Sequence, residues 1–394
     1  MNVLIAGGGI GGLTAALCLA QVGHRVSVLE QASEFGEIGA GIQLSPNCTR
    51  VLHHLGLAAD LEACAFLPEG TQFRHWRSGK VISQRPLGQV AVQRYGAPYY
   101  HIHRGDLLRV LVTAARQQAG ISLHLNERVE SVQQDVDGVA VNTQQGHYQA
   151  DLLVGADGIH SVVRGYLWGE AKPTFTGNVA WRALVPTNAL PEGLVRPMST
   201  AWWGPHKHFV HYYVRQGEYV NCVCVVEKAG WEVESWTEPG DYDELKSDFA
   251  GWHSDIQTLI ESADRSSLFK WALFDRPPMS AWGQGRITLL GDACHPTLPF
   301  MAQGAAMAIE DGAVLAGCLP SPQTSVVDLE VALQRYETLR KPRTAGIQNG
   351  SRRNARIFHM TGIQAWLRNR AASRAGGSTM DKLFAYNALT ATEQ

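Results

Sequence analysis

The stretch VLIAGGGIGGLTAALCLAQVGHRVSVLE, residues 3–30, decides the fold of this chain. Its apolar start, residues 2–6, is typical of a buried strand, and the glycine-rich turn that follows leads into a predicted helix over residues 13–22. Polar and apolar side chains then alternate over residues 25–30, which predicts a second strand. A strand, a glycine turn, a helix and a strand within about 30 residues predict one βαβ unit, and therefore a parallel sheet.

Three glycines and one acid in this unit predict a ligand-binding site. Gly7, Gly9 and Gly12 fit the pattern G-x-G-x-x-G, in which glycines allow a tight turn, the approach of a pyrophosphate and close helix–strand packing. Glu30 ends the second strand and would accept hydrogen bonds from ribose hydroxyls. Since its carboxylate would repel a ribose 2′-phosphate, the pattern favours FAD or NAD over NADP. A tight turn without a ligand is the alternative.

A second stretch, GRITLLGDACHP at residues 285–296, reads as another buried strand followed by an acid, Asp292, and a proline-marked loop. Small residues from Gly304 onward then predict the start of a helix. An acid at the mouth of a strand beside a helix N-terminus can hold a chain of hydroxyls and phosphates next to a ring. Together with the first unit, this stretch favours FAD.

Composition excludes several classes of protein. The chain has 394 residues and a formal net charge of -2, and it shows no basic stripe, so we expect no nucleic-acid partner. No apolar run reaches the ~18–20 residues of a membrane span, and the start lacks the features of a signal peptide. Seven scattered cysteines without a Cys-x-x-Cys pair are typical of reduced thiols. We therefore expect a cytoplasmic protein without a metal or a membrane partner.

The order of predicted elements indicates an α/β fold in which a strand-rich middle interrupts a nucleotide-binding domain. We predict a discontinuous, Rossmann-like FAD-binding domain, an inserted β-sheet-rich substrate domain and C-terminal helices. The predicted boundaries are 1–72, 100–175 and 275–330 for the FAD-binding domain, 73–99 and 176–274 for the substrate domain, and 331–394 for the C-terminal helical segment.

Further motifs make the chain resemble one family over roughly residues 1 to 345: the group A flavoprotein aromatic hydroxylases of the salicylate hydroxylase and 3-hydroxybenzoate 6-hydroxylase type. Beside the glycine loop and Glu30, the motifs that match this family are HRGDL at 103–107, GADGIHSVVR at 155–164, GDACHP at 291–296, EFGEIGAG at 34–41 and YGAPY at 95–99.

The resemblance implies residues that hold FAD. Arg104 and Asp292 would contact the FAD chain, and the backbone around Val129 would meet the adenine. The helix that begins at Gly304 and Ala305 would aim its N–H groups at the flavin ring, because reduced flavin is anionic and a helix N-terminus stabilises negative charge.

The resemblance also implies that Asp157 serves the flavin and the nicotinamide cofactor together. The alternative is that this acid caps the turn after its strand. No second G-x-G-x-x-G pattern exists, so NADH or NADPH would bind transiently in a groove, as in the family, rather than in its own Rossmann domain.

The candidate base lies in PHKHFVHYY, residues 205–213. On a regular strand His206, His208 and Tyr212 share one face, and His211 lies on the other. His208 and Tyr212 would stand about 13 Å apart along the backbone, so they could flank one flat ligand. In similar hydroxylases the matching His and Tyr line the substrate site, and we expect His208 to remove a phenol proton. A core or surface histidine is the alternative.

Other residues would complete the site. By the resemblance, Gln43 lies near the face of the flavin, where 6-hydroxynicotinate hydroxylases tend to carry His, so Gln43 counts against that substrate. Pro299, Phe300 and Met301 would shape the opposite wall. Related 3-hydroxybenzoate enzymes carry a polar residue where Pro299 lies, which leaves the ring position of attack open.

These observations predict an FAD-dependent monooxygenase that uses NAD(P)H and O2 to convert 3-hydroxybenzoate to 2,5-dihydroxybenzoate. Salicylate 1-hydroxylation to catechol is the close rival, and a 6-hydroxynicotinate-type hydroxylase is another. An NAD-dependent dehydrogenase or a flavin-binding regulator would represent a different class. A homodimer is plausible from the family.

Overall fold

The structure, a computed structural model, describes residues 1–36, 41–233, 238–319, 326–374 and 378–393. Residues 37–40 of the EFGEIGAG motif therefore lie outside the described residues. The strands, in chain order, are β1 (Asn2–Ala6), β2 (Arg25–Leu29), β3 (Gly41–Leu44), β4 (Gly70–His75), β5 (Val81–Pro86), β6 (Tyr100–His103), β7 (Ile121–His124), β8 (Val129–Gln134), β9 (Val139–Thr143), β10 (His147–Ala150), β11 (Leu152–Gly155), β12 (Thr174–Pro186), β13 (Met198–Gly204), β14 (Lys207–Val214), β15 (Tyr219–Glu227), β16 (Phe269–Asp275) and β17 (Ile287–Leu289).

The helices surround these strands. In chain order they are α1 (Ile10–Gln21), α2 (Pro46–His54), α3 (Ala58–Glu62), α4 (Gln89–Tyr95), α5 (Arg104–Gln117), α6 (Val162–Trp168), α7 (Tyr242–Asp248), α8 (Ser254–Glu261), α9 (Gly304–Cys318), α10 (Val326–Phe358), α11 (Gly362–Ala372) and α12 (Ser378–Phe384). Within the described ranges, no helix combines the length and the apolar character that a bilayer crossing requires.

A parallel five-stranded sheet in the order β17-β11-β1-β2-β7 confirms the predicted Rossmann-like architecture. Leu4 at the centre of β1 pairs with Ser27 of β2 on one side and Leu153 of β11 on the other. Because the strands are parallel, the loops after β1, β2, β11 and β17 leave from the same edge of the sheet. In open α/β sheets the carboxyl ends of the strands are where ligands bind.

Helix α1 is buried on almost all sides between this sheet and α9, and its sequence is accordingly apolar all round. The two helices approach closely where Gly312 of α9 meets Ala15 of α1. A Cβ atom at Gly312 would lie 2.9 Å from the Ala15 backbone, so no larger residue fits there without a shift.

A second, seven-stranded sheet in the order β16-β12-β15-β14-β13-β4-β5 confirms the predicted strand-rich insertion. Helices α7 and α8 contribute to a buried cluster on its outer face with Trp202 and Phe209. Its inner face meets Phe300 and the end of α10. The domain boundaries remain predictions, and the one drawn between residues 72 and 73 falls inside strand β4, which belongs to this sheet.

A buried cluster of charges joins α9 and α10. The Asp311 carboxylate accepts hydrogen bonds from the Gly291 amide at 3.0 Å and from Nε2 of His295 at 2.6 Å. Arg340 donates from Nε to Asp311 at 2.7 Å and pairs with Glu310 at 2.8 Å. Both acids and Arg340 are fully buried, so each charge depends on its partners.

Replacing Asp311 by Asn is expected to lower the free energy of unfolding by about 3–5 kcal/mol, because Arg340 would lose a partner that it cannot replace in the interior. Urea unfolding followed by circular dichroism measures this. Glu261→Gln is the control, since Glu261 forms an exposed ion pair with Lys246, and its unfolding midpoint should not change. Equal effects of the two substitutions would contradict the assigned importance of the cluster.

The cluster also predicts how stability depends on pH. Burial alone would raise the pKa of Asp311, but the charges and hydrogen bonds of His295 and Arg340 outweigh it and lower that pKa from 3.8 to about 2. A depressed folded-state pKa stabilises the protein above the unfolded pKa and loses its effect as pH falls through the folded one. The stability difference between wild type and Asp311→Asn should therefore shrink between about pH 4 and pH 2. A stability difference between the two proteins that stays constant over this pH range would contradict the lowered pKa of Asp311.

Candidate functional site

The glycine loop after β1 has the geometry of a phosphate cradle. Gly7 has a φ of +108°, and a Cβ atom there would lie 2.4 Å from the backbone oxygen of Ala156. A Cβ atom at Gly12 would lie 2.0 Å from the Gly7 oxygen, whereas one at Gly9 meets no described atom within 4 Å. Gly7 and Gly12 are thus needed for the turn and for helix packing, and Gly9 faces open space beside the N-terminus of α1.

Glu30 immediately follows β2, next to this loop. Its Oε2 atom accepts from the Gly8 amide at 2.7 Å, and its Oε1 atom accepts from the Ala32 amide at 2.9 Å. The carboxylate is therefore held at the carboxyl edge of the sheet, where a ribose would have to lie. Val129, predicted to meet the adenine, is buried at the start of β8, and its role stays a prediction.

Arg104 and Asp292, 188 positions apart in sequence, come together at the same edge. Arg104 begins α5, and Asp292 is exposed in a 3₁₀ turn after β17. Desolvation by the surrounding protein raises the pKa of Asp292, and the charges of His295 and Arg104 partly oppose that rise. The pair can thus serve one polar ligand chain from two elements.

Asp157 caps the turn after β11 with one carboxylate oxygen and keeps the other without a partner among the described residues. Its Oδ2 atom accepts from the amides of Val162 at 2.8 Å and Val163 at 3.2 Å, so it does cap the turn into α6. Its Oδ1 atom is buried and has no hydrogen-bond partner among the described residues. Burial raises the pKa of this carboxyl. An unsatisfied buried oxygen indicates that a ligand group completes the site.

The helix that was predicted to face the ring begins as expected at Gly304, followed by Ala305. Its first turn has no side-chain cap, which leaves amide groups for a ligand. Ala302, with a φ of +51°, turns the chain into the helix, and Gln303 is fixed by a hydrogen bond of 2.9 Å from its Nε2 atom to the Ser45 hydroxyl. The start of α9 is therefore held in place by the loop after β3.

These features fit FAD. The space beside Gly9 can take a pyrophosphate at the N-terminus of α1, the unsatisfied Asp157 oxygen can accept from a hydroxyl, and Arg104 with Asp292 can hold the polar chain. In the described part of the chain, no cluster of His, Cys, Asp and Glu could hold a metal ion.

The inner face of the seven-stranded sheet carries His208, Val210 and Tyr212, as the strand pattern predicts. His211 lies on the outer face, where its Nε2 atom accepts from Trp202 Nε1 at 3.0 Å. The prediction for His206 was wrong: β14 begins one residue later, and His206 has a φ of +59°, which places it in a turn outside the strand.

His208 is buried at one end of this face. Its Nδ1 atom lies 2.9 Å from Nε2 of His359, and its ring centroid lies 5.2 Å from that of Phe300. Burial, and then the neighbouring His359, hold the pKa of His208 well below its usual value. The imidazole is therefore neutral at pH 7, and the nitrogen that His359 does not contact can accept a hydrogen bond from a ligand.

Tyr212 is buried at the other end of this face, next to Gln43. Burial raises the pKa of its phenol, and hydrogen bonds with the side chains of Asn221 and Gln43 partly oppose that rise. Gln43 Oε1 also accepts from the hydroxyls of Tyr99 at 2.7 Å and Ser199 at 3.2 Å. Gln43 thus organises the polar groups at this end of the site.

Between His208 and Tyr212 lies an apolar floor that ends at a cation. Ala201, Val210, Val223 and Arg182 occupy one row across four neighbouring strands. Arg182 is buried, and its charge reaches the Tyr212 phenol, whose pKa it lowers against the larger effect of burial. Sequence analysis missed Arg182, although an arginine within the otherwise apolar run of residues 179–185 was a usable signal.

Of the three residues predicted to form one wall of the substrate site, only Phe300 lies beside His208. Phe300 is buried against His208, whereas Pro299 is exposed. Met301 is directed at the C-terminal helices, because its sulfur would lie 2.7 Å from a Cβ atom at Gly350. His359, which follows α10, takes a place beside His208 that no sequence pattern indicated.

Comparison with known proteins agrees with this geometry. The family model described as FAD binding domain matches residues 1–373. A 3-amino-4-hydroxybenzoate 2-monooxygenase of Streptomyces platensis is 39% identical over 95% of this chain and 93% of its own. A 3-hydroxybenzoate 6-hydroxylase of Polaromonas naphthalenivorans is 39% identical over 94% and 91%. The solved structure of Klebsiella pneumoniae HpxO complexed with FAD and uric acid matches with a TM-score of 0.86, 28% identity and coverage of 99% and 97%.

The match over nearly the whole chain and the loops at the carboxyl edge of the parallel sheet lead to the same result. The chain belongs to the FAD-binding-domain family and is a flavoprotein aromatic monooxygenase.

Proposed function

We propose that this monooxygenase hydroxylates an aromatic hydroxy acid that lies on the apolar floor between His208 and Tyr212. The observation that carries the proposal is the order of groups on one sheet face: a buried neutral imidazole, apolar side chains, then a phenol with a buried cation beside it. A substrate with a hydroxyl at one end and a carboxylate at the other complements that order.

Each group has a defined task in this proposal. His208 accepts the proton of the substrate hydroxyl, which makes the ring more nucleophilic, since an unperturbed phenol has a pKa of about 10. Val210 and Val223 exclude water below the ring. Arg182 pairs with the carboxylate, while Tyr212 and Gln43 fix the orientation. FAD, reduced by NAD(P)H, supplies the activation of O2 when it is bound.

Our first candidate substrate is 3-hydroxybenzoate, with 2,5-dihydroxybenzoate as the product. Its support is the 39% identity to a 3-hydroxybenzoate 6-hydroxylase over most of both chains. Phe300, which packs against His208, supplies an apolar wall for the ring.

A second candidate is an acid with its hydroxyl para to the carboxylate. His208 and Tyr212 are four residues apart on one strand, which separates them by about 13 Å along the backbone. A para-substituted ring places its two polar groups at their largest separation and spans such a site better. The 3-amino-4-hydroxybenzoate 2-monooxygenase, whose substrate name carries this pattern, is equally similar to this chain.

A panel of acids tests the proposal. The purified holoenzyme should be yellow and should show NADH or NADPH oxidation stimulated by one of 3-hydroxybenzoate, 4-hydroxybenzoate, 3-amino-4-hydroxybenzoate, salicylate and 6-hydroxynicotinate, with a hydroxylated product identified by mass spectrometry. Benzoate is the control, because it keeps the carboxylate but has no proton for His208 and should give no hydroxylated product. The proposal fails if none of the five acids stimulates oxidation.

Arg182→Met should raise KM for the turned-over acid by about tenfold to a hundredfold, because a buried charge-assisted contact with the carboxylate is lost. Arg74→Met is a matched control: Arg74 also covers a tryptophan, with its guanidinium 4.7 Å from the Trp202 ring against 4.2 Å between Arg182 and Trp271. It lies on the outer face, and its replacement should leave KM unchanged.

The corresponding amide provides a second control for Arg182. Affinity for the neutral hydroxybenzamide should differ little between wild type and Arg182→Met. If the substitution weakened amide and acid equally, Arg182 would not recognise the carboxylate.

A further inference from the structure

A chain of three hydrogen-bonded contacts connects buried His208 to the surface. Nδ1 of His208 lies 2.9 Å from Nε2 of His359, and Nδ1 of His359 lies 2.9 Å from Oε1 of Glu227. Oε2 of Glu227 lies 2.7 Å from Nδ1 of His206. The side-chain exposure rises from 2% at His359 to 43% at Glu227 and 65% at His206. The chain thus runs from the substrate floor to solvent.

The backbone holds these groups in register. Glu227 ends β15, and its amide donates to the His206 oxygen at 3.0 Å. The His206 amide donates in turn to the His359 oxygen at 3.1 Å. The positive φ of His206 allows this turn to reach the end of α10. Three separate segments therefore meet through main-chain bonds, and the side-chain contacts follow from that fixed geometry.

The arrangement fixes the tautomers of both imidazoles. An ionised Glu227 only accepts hydrogen bonds, so His359 must carry a proton on Nδ1 and presents Nε2 as an acceptor. His208 must then donate from Nδ1, which leaves its Nε2 atom without a proton. The nitrogen that His359 does not contact is thus the one that can take up a proton. The opposite tautomer of His208 would require an extra proton on His359 or on Glu227.

We propose that His359 and Glu227 are positioning residues that set the tautomer of His208 and carry the substrate proton to solvent. This inference rests on the proposed function of His208 as the base. The hydroxyl proton moves to Nε2 of His208, the Nδ1 proton of His208 moves to Nε2 of His359, and the Nδ1 proton of His359 moves to Glu227. One proton leaves the substrate and one reaches the surface, where His206 and water receive it.

The charges around these hydrogen-bonded side chains favour proton movement from His208 towards the surface. Burial lowers the pKa of His359, Glu227 raises it, and His206 and Arg368 lower it further. Partial burial alone would raise the pKa of Glu227, but hydrogen bonds from His206 and His359 outweigh it and keep that pKa low. Each imidazole therefore keeps a single proton and stays neutral at neutral pH, while the carboxylate stays ionised and orients both rings. Arg368 donates to the Phe358 oxygen at 2.8 Å and so stays next to this chain.

The first experiment needs no substrate. Holoenzyme with ¹⁵N-labelled histidine, studied by NMR at pH 7 and assigned through single substitutions, should show both His208 and His359 as Nδ1–H tautomers. An Nε2–H tautomer at His208 would overturn the inference, whatever acid the enzyme uses. The result is therefore separable from a failure of the proposed function, which would appear as no turnover of the acid panel.

The second experiment measures proton release when 3-hydroxybenzoate binds, using a pH indicator in a stopped-flow instrument. Wild type should release about one proton per site at neutral pH, with the phenolate visible in the ultraviolet difference spectrum. Glu227→Gln keeps an oxygen that can accept from His359 but cannot take the proton. This variant should bind 3-hydroxybenzoate with a Kd similar to that of wild type but release protons at least about tenfold more slowly. Its kcat should fall by the same factor.

The His359→Gln variant should lose both proton release and phenolate formation. In the His359→Ala variant, added imidazole should restore part of the rate of proton release. His211→Gln is the matched control, because His211 is equally buried but faces the opposite side of the sheet. It should release protons as wild type does. Wild-type release in Glu227→Gln and His359→Gln, or no release by wild-type enzyme that binds 3-hydroxybenzoate, would overturn the inference.

Discussion

The buried Asp311 carboxylate holds three elements of the structure together. It binds the Gly291 amide, His295 and Arg340, and so joins the loop after β17, helix α9 and helix α10. A buried carboxylate is costly unless its partners are complete. Any state in which these three elements separate leaves charges unpaired in the interior. The start of α9, the turn with Phe300 and the end of α10 therefore keep fixed positions relative to the parallel sheet.

Sequence reasoning succeeded where chemistry is encoded locally. The glycine spacing and Glu30 predicted the first βαβ unit, because turns and helix starts impose specific residues at fixed offsets. The resemblance predicted that Arg104 and Asp292 both contact the FAD chain, and in the structure the charge of Arg104 acts on the Asp292 carboxyl. The assignment of catalytic and binding roles to these side chains stays a prediction.

The failures share a physical cause. His206 was placed on the strand because alternation was extended one residue too far, and its positive φ has no local signature in a histidine. His359 reaches His208 only through the packing of α10 against the second sheet, which no local pattern records. Met301 was assigned to the substrate wall but packs towards Gly350. Contacts between segments distant in sequence are set by packing, and the single sequence does not contain that information.

Helix α10 carries Arg340 at the charge cluster and ends directly before His359 at the substrate floor. An α-helix turns by about 100° and rises 1.5 Å with each residue. One residue inserted or deleted between these two positions would swing His359 to another side of the helix axis, although every contact of Arg340 could remain. The length of this stretch is therefore constrained independently of its side chains, because an insertion or deletion that left every side chain in place would still disconnect the two sites.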